Sequence, residues 1–397
     1  MRTNWRAIAI LALGFGLVGI DRFMISTMFP VIAKDLNLKY SDIGLIAGAL
    51  SIAWGSAALI MGNRADRLGR KRVLIGSMIA FSLLIGASGL ANGLLGLLAV
   101  RIVMGLFDGA YTPACVAATL ECSEPRHHGR ASGIQQMAAI LCGLGFAPLA
   151  ITGLLHLIDW RWVFVIFSAP GIVVAWLMGR YIPGNVDETP VTDSDSTDWR
   201  TVIEQRNVRL AMGLMLCNLT CIIIVSAFLP SYLLDHMKLN FNEMGVVMSS
   251  VGIGAAFGTV ILMSASDRLG RKHVMSGACI AGLIALSLFM NMGPNPVVLF
   301  ILLFMVSFSV HAAIALAVGP VSAEAVPAAL MATASGLVIG VGEIVGGGMI
   351  PIAAGYIVEH FGIERLLFIP VGALVLATGL SMMLSDPQAL TRADRPT

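Results

Sequence analysis

Asn63-Arg64-Ala65-Asp66-Arg67-Leu68-Gly69-Arg70-Lys71-Arg72-Val73 returns further along the chain as Ser264-Ala265-Ser266-Asp267-Arg268-Leu269-Gly270-Arg271-Lys272-His273-Val274. The offset is 201 residues, half of a 397-residue chain. A basic loop between two apolar stretches is unremarkable in a membrane protein, because loops on the cytoplasmic side tend to be positive. Asp-Arg-x-Gly-Arg-Lys at the same place in two halves is far harder to reach by chance. At an offset of 203, Glu121 matches Glu324, Ser132-Gly133 matches Ser335-Gly336 and Pro148 matches Pro351. The chain is therefore read as a duplicated unit, the pattern of transporters built from two bundles.

Outward from each copy lie apolar stretches of about 20 residues, long enough to cross a bilayer as helices. Six fall near residues 5 to 33, 43 to 62, 73 to 91, 94 to 120, 131 to 154 and 161 to 182, and six near 208 to 234, 243 to 264, 274 to 291, 296 to 322, 330 to 357 and 363 to 384. Between them, Pro183 to Asn207 carries Asp187, Glu188, Asp193, Asp195, Asp198 and Glu204 and reads as a solvated linker. The predicted organisation is an all-α membrane protein of twelve transmembrane helices, with one six-helix bundle over 1–182, a cytoplasmic linker over 183–207 and a second bundle over 208–397. The first span carries Asp21 and Arg22 with no small-residue cleavage site after it, so it is expected to be retained rather than removed as a signal peptide.

Composition agrees. Residues are 57% hydrophobic and 12% charged, with a mean hydropathy of +0.87, whereas soluble chains carry about 25% charge. A soluble enzyme is excluded, and lipid is the expected surroundings. A net charge of +2 offers no basic stripe for nucleic acid. The six cysteines lack metal-ligand or disulfide-framework spacing, so no metal and no cofactor are expected. Of the 25 Lys and Arg, only Lys34, Lys39, Arg161, Lys238 and Arg365 fall in loops of one parity. Arg22 and Arg101 lie inside spans, and the rest mark the cytoplasmic side, which puts both termini there.

The loop pattern Gly62-x-x-x-Asp66-Arg67-x-Gly69-Arg70-Lys71 resembles that of the major facilitator superfamily. Within it, Asp21-Arg22 in the first span, with Arg101-x-x-x-Gly105-x-x-Asp108-Gly109 and Pro113 in the fourth, is similar to the anion:cation symporter family, although that family usually has Glu where this chain has Asp108. The resemblance implies proton-coupled uptake of a small organic anion. It also implies a cytoplasmic gate in which Asp66 and Arg70 latch to Glu121 and Arg130. The second half repeats Asp267, Arg271 and Glu324 but has Thr333 for Arg130, so its latch should be weaker.

The residues themselves point the same way. A charge at the bilayer centre costs roughly 2.5 to 3.5 kcal/mol on insertion scales, so such residues usually face a cavity and carry function. Asp21 and Arg22 point about 100° apart on a helix and cannot neutralise each other face to face, so each needs another partner. Arg101 and Asp108 share a face about 10.5 Å apart along the axis, a gap suited to a substrate or water. At that depth burial and nearby arginines pull a carboxylate's ionisation in opposite directions, the balance a reversible proton carrier requires. Asp21 and Asp108 are thus expected to carry the proton, and Arg22 and Arg101 to hold the substrate anion. The alternative is a static charge network that fixes helix register. Glu343, in a glycine run from Gly340 to Gly348, is a third candidate site for protons or substrate, a satisfied interhelical bond being the alternative. His311, at the repeat position of Asp108, is expected to look into the same cavity from the other half, a satisfied core histidine being the alternative.

Several motifs are discounted. Gly14-x-Gly16-x-x-Gly19 lies inside a span with no strand before it, so helix packing explains it better than a dinucleotide. Cys122, His127 and His128 lack a fourth metal ligand. A proton-driven exporter of the same fold is the rival. Exporters usually carry Gly-Pro-x-x-Gly-Gly in the fifth span, and here Gly145-Phe146-Ala147-Pro148-Leu149-Ala150 departs from it. The expected carrier is a monomer without catalytic residues, whose partners are a small organic anion, protons and the bilayer of a bacterial-type inner membrane.

Overall fold

The computed structural model describes residues 3–68, 70–124, 127–182, 199–327 and 330–385, of which 58–68, 70, 128, 129, 199 and 332 are described by backbone only. The described residues form twelve long helices: α1 (Trp5–Leu36), α2 (Tyr40–Leu68), α3 (Arg70–Ser88), α4 (Leu94–Glu121), α5 (Arg130–Leu155), α6 (Trp160–Tyr181), α7 (Arg206–His236), α8 (Phe241–Leu269), α9 (Arg271–Met290), α10 (Pro296–Val321), α11 (Thr333–Phe361) and α12 (Ile363–Met382). All but α2 qualify by length and composition as membrane spans among the described residues. The protein is a multi-pass membrane protein.

Local chemistry sets the helix ends. Asn4 caps α1 by accepting from the Ala7 N–H, and Asn37, left-handed at φ 52°, ends it. Asn240 and Glu243 form a reciprocal capping box on α8, which satisfies two donors that the first turn leaves free. Asn295 caps α10 just before Pro296, a residue suited to the first turn because it has no N–H to lose. Large apolar side chains such as Leu83, Leu95, Trp176, Val297 and Leu376 are exposed on the outside of the bundle. That surface suits hydrocarbon.

The linker differs from its expected form at its second end. Trp199–Glu204 is a short helix with Val202 fully buried, packed against α7 and α11. Six residues are too few for a periodic signal, so the polar composition around them hid it. Residues 183–198 lie outside the described residues.

The duplication is visible in the packing. α1 and α7 are the most enclosed spans, and each is flanked by a helix from its own half and one from the other. α5 packs on α1 within its half and on α8 across the interface; α11 packs on α7 within its half and on α2 across the interface. Both α5 and α11 widen into a π-helical segment, at Leu141–Phe146 and Gly342–Met349, and these segments correspond under the 203-residue offset. The approach there is backbone to backbone. A Cβ on Gly143 would lie 2.3 Å from the Gly19 carbonyl oxygen, and one on Gly252 would lie 2.1 Å from the Gly145 nitrogen. Glycine is required at both crossings, and Gly19, discounted above as a phosphate loop, is accounted for.

Cross-half polar contacts mark how the halves sit. Tyr40 donates to Asp235 at 2.7 Å and His156 pairs with Asn242 at 2.8 Å, both on the face opposite the one where Thr3 and Ser385 lie. On that face Gly245 meets Thr152, and Gly44 and Gly48 meet α11. The two halves are closed together there.

Candidate functional site

Asp21 sits midway along α1, fully buried, and Arg101, 1% exposed, reaches it from α4. The Arg101 Nη1 donates to the Asp21 carbonyl oxygen at 2.9 Å and to its Oδ1 at 3.3 Å. One nitrogen thus holds both the backbone and the side chain of α1. The remaining atoms are unspent: Arg101 Nε and Nη2 and Asp21 Oδ2 are buried with no hydrogen-bond partner among the described residues. An unsatisfied buried polar group costs about 1–3 kcal/mol, so three together point to a place for water or ligand.

Arg22, next in the chain, turns to the other half. Its two terminal nitrogens donate to the two carboxylate oxygens of Glu343 on α11, at 3.4 and 2.8 Å. This is the forked geometry by which arginine grips carboxylates. The guanidinium lies 4.2 Å from the Trp54 ring centroid and 5.7 Å from that of Phe23. Stacking of this kind holds its plane as well as its charge. Arg22 and Arg101 together line a cavity between the halves, with Phe23, Leu50, Ser26, Ser51 and Ser226 among the other walls. The cavity is narrow: the space open to the centre of a water is about 20 Å³.

Asp108, about two turns from Arg101 on the same face of α4, is 2% exposed and lies within electrostatic reach of Asp21, Arg101 and Arg22. Its Oδ1 is buried without a partner. The Asp108 carbonyl accepts from Thr112 Oγ1 at 2.9 Å, and that hydroxyl accepts from the Trp54 indole N–H at 3.3 Å, so the ring that faces Arg22 is also tied to α4. Gln135, Asn218, Thr220 and Ser226 add further buried polar atoms without partners. Thus Asp21, Arg22, Arg101, Asp108 and Glu343 are brought into one buried cluster. In the other half, His311 Nδ1 pairs with Ser307 Oγ at 3.0 Å, and the same Ser307 hydroxyl donates to the Val251 carbonyl.

Of the residues expected at the gate, those of the second half pair with one another. Arg271 pairs with Asp267 at 2.6 Å and with Glu324 at 3.0 Å, so the Thr333 replacement leaves these two pairs in place. Arg130 stacks over Trp5 at 5.2 Å, and Glu121 is half-buried at the end of α4. The side chains of Gly62, Asp66, Arg67, Gly69 and Arg70 lie outside the described residues, as does that of His128. His127 bonds Thr3 Oγ1 at 2.8 Å.

Two site residues escaped the sequence reading. Trp54 had a signal, being a tryptophan in mid-span rather than at an interface, where that residue usually sits. Tyr111, fully buried one turn from Asp108, had none beyond its polar tip. Gly14 leaves room for it, since a Cβ there would lie 2.3 Å from the Tyr111 hydroxyl.

Comparison with known proteins gives consistent matches. The family model described as Major Facilitator Superfamily matches residues 11–347 and 211–396. The chain is 26% identical over 379 residues to the sialic acid transporter of Escherichia coli, covering 93% of this chain and 92% of that one. It is 24% identical over 398 residues to the gentisate transporter of Corynebacterium glutamicum, covering 96% and 88%. Its fold superposes on a bacterial homolog of the human lysosomal transporter Spinster, in an inward-facing and occupied conformation, with a TM-score of 0.82, 17% identity and 98% of both chains covered.

Proposed function

Because the chain belongs to the major facilitator superfamily, and so is a transporter rather than an enzyme, we propose that it takes up a small organic anion, a carboxylate, together with protons by alternating access. The observation that carries the reading is the buried cluster itself: two arginines and three carboxylates at the depth where the two halves meet, with unspent donors on Arg101 and an unspent acceptor on Asp108. Positive charge at that depth is costly and is normally kept for a substrate or ion path.

In this reading Arg22 and Arg101 hold the substrate carboxylate, while Asp21 and Asp108 take and release the proton. Asp21 is bound to Arg101 Nη1, so an anion arriving at the unspent Nε and Nη2 shares one guanidinium charge with Asp21, and a proton on Asp21 removes the competitor. That competition is a physical route to coupling, because charge added by the substrate is offset by charge taken up with the proton. With the termini cytoplasmic in an inner membrane, the Tyr40 face is the outer one, and the halves are closed together on that side. Relatives named for gentisate and sialic acid transport support an organic acid as the cargo.

The test is uptake of labelled gentisate, 3-(3-hydroxyphenyl)propionate, sialic acid and gluconate into proteoliposomes under an inward proton gradient, with Arg22→Ala as control. Accumulation of an acid that the Arg22 variant loses supports the assignment. Expulsion of a lipophilic cation against the same gradient, with no acid accumulated, would replace it with an exporter.

A further inference from the structure

Arg22, the arginine best placed to receive a substrate carboxylate, already holds one. Glu343 occupies both of its terminal nitrogens in the fork that a ligand carboxylate would use, and it comes from the opposite half, on the π-helical turn of α11. The two side chains are 16% and 7% exposed, so water does little to weaken the pair. Arg101, by contrast, lines the same cavity and keeps two nitrogens, Nε and Nη2, without partners among the described residues. We infer that Glu343 is the resident anion of the substrate site: it neutralises Arg22 in the empty carrier and yields it to the substrate carboxylate on binding.

This rests on the organic-anion reading above and adds to it a reason for the return step. A carrier that concentrates its cargo must reorient empty. With Arg22 bare, that passage would carry an unpaired charge through the most enclosed part of the protein. With Glu343 on Arg22, loaded and empty carriers present the same pair at the point where the halves turn on each other. The displaced carboxylate has somewhere to go. Ser51 on α2 and Thr220 on α7 both lie against the glycine run that carries Glu343, and the Thr220 hydroxyl has no partner.

The geometry supplies two independent ways to loosen the pair. Glu343→Gln removes the charge and keeps the shape. Gly347→Ala keeps the charge and crowds the pair, because a Cβ there would lie 2.9 Å from Glu343 Oε2, the far end of a movable side chain. Both variants release Arg22. If the free arginine is a minor state in the wild type, its release raises affinity by the inverse of that fraction, expected here as about five-fold or more.

The experiment measures binding of gentisate and benzoate to purified wild type, E343Q and G347A by calorimetry, then exchange and net uptake in proteoliposomes. The inference expects tighter binding in both variants, preserved exchange of internal for external acid, and net uptake slowed in E343Q, where the empty carrier returns with a bare arginine. Should E343Q not assemble, G347A carries the binding test alone. If the wild type transports an acid but both assembled variants bind it no more tightly, or more weakly, Glu343 is not a stand-in and the carrier reading survives. If the wild type neither binds nor moves any acid, the carrier reading fails and the inference with it.

Discussion

Asp21 and Arg22 are neighbours in the chain and belong to different ion pairs: Asp21 to Arg101 at 3.3 Å within the first half, Arg22 to Glu343 at 2.8 Å in the second. A single turn of α1 therefore ties together a helix of its own half and a helix of the other. The first bond lies within one half; the second joins the two halves.

Among the described residues, Asp108 Oδ1 is buried without a hydrogen-bond partner and the carboxylate forms no ion pair, so its removal should spare the fold. Asp108→Asn is expected to abolish accumulation driven by a proton gradient while leaving exchange of acid across the membrane intact. Counterflow and gradient-driven uptake, measured on the same vesicles, check this.

The Asp21–Arg101 pair is fully enclosed, and breaking such a pair from one side costs about 3–5 kcal/mol because a charge is stranded. Asp21→Asn and Arg101→Gln should each lower the melting temperature in detergent. The double variant strands no charge and should melt above Arg101→Gln. Equal or lower stability of the double variant would mean that the two residues do not act as a pair.

The cavity walls set a preference among acids. Beyond the two arginines they offer three serine hydroxyls, and the rest is apolar or aromatic. A polyhydroxylated acid would bury hydroxyl groups without partners, at about 1–3 kcal/mol each. Benzoate or gentisate should therefore compete for uptake at concentrations at least about ten-fold lower than gluconate does. A competition series on proteoliposomes decides between them.

On the Tyr40 face a Cβ on Gly245 would stand 3.1 Å from Thr152 Cβ, close to the separation a disulfide spans, about 3.5–4.5 Å. With Thr152→Cys and Gly245→Cys introduced together, mild oxidation should cross-link α5 to α8 and stop transport, and reductant should restore it. Transport that continues with the cross-link formed would show that this face need not open.

Much of the fold was legible in the sequence, for identifiable reasons. Spans announce themselves by length and hydropathy, and the loop repeat pointed to a duplicated unit. The charged cluster was legible too, because Asp21, Arg22, Arg101, Asp108 and Glu343 each stand alone in apolar surroundings. Their pairing was not. Adjacent charges on a helix require separate partners, but which helix supplies them depends on the order of packing around α1. Nothing in the residue spacing says that α4 serves Asp21 and α11 serves Arg22. The local bond of His311 to Ser307 was equally unreadable from its repeat position. The π-helical turns were unreadable because one residue too many per turn leaves no mark on hydropathy.

Those turns have a mechanical meaning. A π turn is a surplus residue that breaks the regular ladder of backbone bonds, and it makes a helix locally easier to bend. In α5 and α11 the surplus stands at matching depth, beside the glycine crossings with α8 and α2. Each half thus owns a flexure of the same design facing its counterpart, so that neither half alone need bend to accommodate a rocking of the assembly.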